Sequence, residues 1–140
     1  MRCFLLFPTL LLSALLFAQA PPTKKELKAK AYTTKGKPYK AIALSDDHLM
    51  GSTAEPAFYL IRAEANNMIG EYDKAELDAR RSMAAFPGST DALFQLAIAE
   101  QGSARSDSAL IHLQQVLRMS PSAEVHYRLA LTHQQLRDHA

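Results

Sequence analysis

The side chains best suited to acid–base or metal chemistry are five histidines, His48, His112, His126, His133 and His139. His126 and His133 stand seven residues apart, which places both on one face of a helix. Two metal ligands on one helix need i, i+4 spacing, and no cysteine or carboxylate pair nearby completes a ligand set. The pair therefore reads as two half-buried packing residues. The acids Asp46, Asp47 and Glu55 gather near a helix end, and Asp73, Glu76 and Asp78 lie along another helix. General acid–base work needs carboxylates that face each other across a pocket. This spacing places both groups on a solvated surface instead. The single cysteine is Cys3, so the chain beyond it has no thiol for a nucleophile, a disulfide or a thiolate metal site. No Gly-rich phosphate loop, G-x-S-x-G elbow or H-E-x-x-H helix is present. The residues predict no enzyme, no metal and no cofactor.

The elements that hold these side chains announce themselves by repetition. Ala29, Ala63 and Ala97 are spaced by 34 residues, as are Ala41, Ala75 and Ala109. Gly36 and Gly70, and Pro87 and Pro121, repeat the same interval. Small residues recur where two helices cross closely, because a larger side chain would push the axes apart. Glycine permits the positive φ of a tight turn, and proline ends a helix because it cannot donate to the ladder. Ala109, Leu110, Leu113, Val116 and Leu117 follow i, i+1, i+4, i+7, i+8, a helical stripe. Ser106 is predicted to cap that helix, and Ser52 or Thr53 the helix entering at Pro56. Met50, Met83 and Met119 are expected mostly to fill core gaps, with Met68 the exception.

The N-terminus differs from the rest. Arg2 precedes an apolar run from Phe4 to Phe17, broken only by Pro8, Thr9 and Ser13. That run is short for a membrane span and suits the core of a signal peptide over residues 1–20. Ala18-Gln19-Ala20 offers a small-x-small cleavage site, with cleavage after Ala18 or Ala20 both open. The expectation is an exported protein, secreted or periplasmic. Residues 24 to 40 then hold seven lysines against one acid, while residues 41 to 100 hold ten acids against four bases. The basic end reads first as a solvated face and second as a contact for an acidic partner or an anionic envelope surface. Nucleic acid is disfavoured by export.

These columns resemble the tetratricopeptide-repeat (TPR) family, whose 34-residue unit is a helix–turn–helix. Residues 56–89 carry the fullest match, with Tyr59, Ala63, Gly70, Tyr72, Ala75 and Pro87. Residues 90–122 match with Ala104 in the turn-glycine column, and residues 22–55 match with lysines in usually apolar columns. Residues 123–138 form a terminal helix, with Thr132, His133, Gln134, Gln135, Arg137 and Asp138 on its outward face. The resemblance implies an all-α, right-handed α-solenoid of helical hairpins, about three repeats plus a capping helix.

It further implies a concave groove lined by the first helix of each unit. The groove residues carried over are Leu60, Glu64, Asn67, Met68, Asp91, Phe94, Ile98, Gln101, Tyr127 and Leu131. Their apolar members form a strip suited to an extended or helical peptide. Glu26, Lys30, Thr33 and Thr34 are the first unit's share, and Glu124, Gln134 and Gln135 complete that of the last helix. The family's carboxylate-clamping lysine and asparagine pattern is not evident. The expected function is a protein- or peptide-binding scaffold. The alternative is a self-associating protein whose open stack end forms homo-oligomers.

Overall fold

The computed structural model describes residues 21–51 and 55–138. The expected signal peptide lies outside these residues. The chain runs through seven helices: α1 (Lys24–Thr34), α2 (Pro38–Gly51), α3 (Pro56–Met68), α4 (Tyr72–Ala85), α5 (Thr90–Gly102), α6 (Ser106–Met119) and α7 (Ala123–Asp138). Each packs on the next in order, and α1, α3 and α5 also lie side by side. The architecture is an all-α solenoid of helical hairpins. Among the described residues, no helix is long and apolar enough to cross a membrane.

The alanine columns set the spacing of this stack. Ala29, Ala63, Ala97, Ala41, Ala75 and Ala109 are all fully buried. Around them the core forms two clusters. One centres on Phe58 and Ile61 between the first hairpin and α3, the other on Leu93, Leu96, Val116 and Val125 from α5, α6 and α7.

The turns within the hairpins share one geometry at the same interval. Lys37, Glu71 and Arg105 donate their backbone N–H to the carbonyls of Tyr32, Asn66 and Glu100, each five residues earlier, at 2.8–2.9 Å. Gly36, Gly70 and Ala104 donate to Thr33, Asn67 and Gln101 at 3.0–3.3 Å. This double closure satisfies the last carbonyls of a helix and needs a left-handed residue. Gly36, Gly70 and Ala104 supply it at φ of 65°, 80° and 58°.

The N-termini use different devices. Thr23 and Glu26 form a reciprocal capping box on α1. Ser89 Oγ accepts from Ala92 N at 3.2 Å on α5. Two capping expectations need correction. Ser52 and Thr53 lie outside the described residues, and the residue at the start of α3 is Glu55, without a side-chain cap. Ser106 is not the cap of α6 but its first residue, with Arg105 before it. The Ser106 hydroxyl turns inward and donates to Gln135 Oε1 at 3.2 Å.

Candidate functional site

A concavity of about 390 Å³ opens between α3, α5 and α7. From α3 come Glu64, Asn67 and Met68, from α5 Phe94, Gln95, Ile98, Gln101 and Gly102, and from α7 Glu124, Arg128, Leu131 and Gln135. Thr33 and Tyr72 close its edges. These residues recur on α3 and α5 at three- and four-residue spacing, so each helix lays one stripe along the wall.

Of the ten groove residues expected from the sequence, seven meet here: Glu64, Asn67, Met68, Phe94, Ile98, Gln101 and Leu131. They do not contribute equally. Met68 is 48% exposed, whereas Ile98 and Gln101 are 8% and 4% exposed and serve mostly as packing. Gln101 Nε2 donates to Thr132 Oγ1 at 2.8 Å and to the Arg128 carbonyl at 3.1 Å, tying α5 to α7.

Leu60 and Asp91 sit elsewhere. They line a second concavity at the N-terminal ends of α1, α3 and α5, together with Glu26, Pro56 and Phe86. Tyr127 lines neither concavity and is 63% exposed. The cause is register. The residue 34 positions after Phe94 is Arg128, and it is Arg128 that enters the groove. The same correction moves Thr132 from the outward face to the core, where it is fully buried. His126 and His133, expected to be half-buried, are exposed. The residues in their columns on α3 and α5, Phe58, Ala65, Ala92 and Ala99, are buried.

Polar groups inside the groove are mostly committed. Lys30 Nζ donates to Glu64 Oε2 at 2.5 Å, joining α1 to α3. Asn67 Nδ2 donates to both Gln95 O and Gln95 Oε1 at 2.9 Å. Because a backbone carbonyl can only accept, this fixes the amide orientation and leaves Asn67 Oδ1 facing no donor. Arg128 Nη1 reaches Gln101 Oε1 at 3.3 Å, while its Nε–H has no acceptor. Two buried polar atoms of the wall are thus without partners, at a cost of about 1–3 kcal/mol each.

Gly102 explains how an aromatic ring reaches this wall. A Cβ at Gly102 would lie 2.2 Å from Tyr72 Cε1. The missing side chain therefore lets the Tyr72 ring lie against the end of α5. The same column holds Met68 in the second hairpin and Thr34 in the first.

The sequence reading missed the ion pairs between neighbouring helices. Asp78 is 3% exposed, not solvated. Arg62 grips it with two bonds, Nε to Oδ2 at 2.8 Å and Nη2 to Oδ1 at 2.7 Å, and reaches Asp46 Oδ1 with Nη1 at 2.5 Å. The Asp78 hydrogen bond above all raises the Arg62 pKa further above its ordinary value. In the third hairpin Glu100 is buried and lies 2.7 Å from His112 Nδ1. Glu100 and His112 are 34 residues after Asn66 and Asp78. Polar residues recurring together in two otherwise buried columns were the available signal. Among the described residues no cluster of metal-ligating side chains occurs. The methionines also differ from expectation. Met83 packs on the core, but Met50 and Met119 are exposed on the helices they close.

No family model and no curated protein matches this sequence. Solved structures do match. The first TPR domain of human RPAP3 superposes with a TM-score of 0.73 at 22% identity, over 81% of this chain and 91% of that one. The first TPR of Spaghetti (RPAP3), bound to the HSP90 peptide SRMEEVD, gives 0.71 at 22% identity over 81% and 90%. The fold is that of a tetratricopeptide-repeat domain. The Arabidopsis OM64 TPR domain gives 0.68 at 19% identity, over 83% of this chain and 93% of that one. In tetratricopeptide-repeat terms, α1, α3, α5 and α7 are the first helices of successive units. The 390 Å³ groove lies on their shared face.

Proposed function

We propose that this protein is an exported tetratricopeptide-repeat scaffold that binds a segment of a protein partner in the α3–α5–α7 groove. The observation that carries the reading is the groove wall itself. Met68, Phe94 and Leu131 supply apolar contact, and beside them Asn67 Oδ1 and Arg128 Nε lack partners. A peptide backbone offers both an N–H for Asn67 and a carbonyl for Arg128, and its side chains can fill the apolar floor. Both atoms are buried, so a ligand that reaches them would gain two hydrogen bonds.

Peptide binding by the Spaghetti TPR, whose structure holds the HSP90 peptide SRMEEVD, supports this use of the fold. The charge of the groove argues for a different peptide here. Its walls carry Glu64 and Glu124, Lys30 is engaged by Glu64, and Arg128 lies 3.9 Å from Glu124. A segment with several acids would meet those carboxylates, so the ligand is predominantly neutral and apolar. Export rests on the apolar segment of residues 4–17.

A photo-crosslinking residue at Met68 tests the site against one at Ile111, which is exposed on α6 away from the groove. The expected result is a partner adduct at Met68, none at Ile111, and loss of the Met68 adduct on Asn67→Ala or Phe94→Ala. Equal adducts at both positions, or adducts indifferent to both substitutions in folded protein, would remove the groove assignment.

A further inference from the structure

The first helix presents a surface that the groove does not use. Lys24, Leu27, Lys28, Ala31 and Lys35 fall at i, i+3, i+4, i+7 and i+11, one stripe along α1. Thirty-four residues later the first four columns hold Phe58, Ile61, Arg62 and Ala65. Phe58, Ile61 and Ala65 are buried against the first hairpin. Nothing among the described residues covers the α1 stripe, so Leu27 is 55% exposed and the three lysines around it are exposed. Lys37 and Lys40 continue the charge across the turn onto α2. Lys25 pairs with Asp47 at 3.9 Å and Lys30 with Glu64. Among the described residues the other five lysines have no carboxylate within ion-pair distance.

We propose that this end of the stack docks on an anionic lipid surface. Lysines next to an apolar residue complement negative headgroups: the ammonium groups stay in water while Leu27 enters the interface. The apolar run Phe4–Phe17 precedes Lys24 by only six residues. Until that run is cleaved, its entry into a bilayer would hold the stripe beside the headgroups, the arrangement in which a basic cluster is most effective. Stacking on a second copy is disfavoured by charge. The exposed residues of α7 include His126, His133 and Arg137, and its two carboxylates are Glu124, which faces Arg128, and Asp138 beside Arg137, too few to neutralise the lysines. Burying them unpaired would be costly.

The test is flotation of the full chain with vesicles of phosphatidylcholine alone or with a quarter of phosphatidylglycerol. The expected result is tighter binding to the anionic vesicles, weakening as salt is added. Lys28→Gln should weaken that binding about fivefold, and Lys24→Gln, Lys28→Gln and Lys35→Gln together about a hundredfold. Binding to neutral vesicles, which reports the apolar run and Leu27 without headgroup charge, should not change. Equal binding to both vesicle types would overturn the proposal, as would a triple variant that floats like the parent. Soluble polyglutamate bound as tightly, with the same lysine dependence, would also overturn it by making an acidic chain the partner.

Discussion

Ala104 holds φ of 58° at a position where the two preceding turns use glycine. A Cβ in this conformation costs about 1–2 kcal/mol, and the turn nonetheless keeps both backbone hydrogen bonds of its glycine counterparts. Ala104→Gly should therefore raise stability by about 0.5–1 kcal/mol, after the extra freedom of an unfolded glycine is counted. A thermal melt should show a gain of a few degrees. An unchanged or lowered midpoint would mean that the left-handed alanine is not strained here. Asp78 shows what the residue scale hides in a sequence. Its sequence neighbours read as a solvated helix face, yet the residue is buried because Arg62 comes to it from the adjacent helix. A periodicity assigns a face to a side chain. It does not assign a partner across an interface.

At the scale of elements, helices and turns were legible because their causes are local. Glycine, proline and the apolar stripe each act within one or two helical turns. The last helix was harder to register, since His126 and His133 are exposed in columns that hold buried residues on α3 and α5. Counting one residue short put Tyr127 in the groove and left Arg128 out. Contacts between elements are also where acid should act. Glu76 on α4 accepts from Arg105, at the start of α6, and from Arg80. The Arg105 hydrogen bond above all holds the Glu76 carboxyl below its usual range. In the unfolded chain that carboxyl returns to an ordinary value of about 4.3. Its contribution to stability is therefore present above that value and is lost as pH falls through the lowered one. Urea midpoints across pH should show this. Glu76→Gln should start lower at neutral pH and decline less steeply on acidification than the parent. Parallel declines would mean that the pair is not linked to folding.

At the scale of the molecule, the stack depends on how closely helices approach. Ala97 is fully buried between them. Ala97→Leu should cost about 1–3 kcal/mol by overpacking. Ala43 is exposed, and its column holds exposed Leu77 and Ile111 in the next two hairpins. Ala43→Leu should thus stay within about 0.5 kcal/mol of the parent. Equal losses for the two variants in chemical unfolding would mean that the alanine columns do not mark the helix crossings.

The sequence alone determined that the chain forms helical hairpins at an interval of 34 residues, and which small residues separate them. That information is carried by spacing, and spacing is a property of one dimension. Tertiary structure decided which side chains share a cavity: it gathered Met68, Phe94, Arg128 and Leu131 into the groove and set Leu60 and Asp91 apart from them. It also decided which charges pair, because Arg62, Asp46 and Asp78 lie on three different helices. Burial and pairing depend on distances between segments far apart in the chain, and those distances exist only once the hairpins have packed.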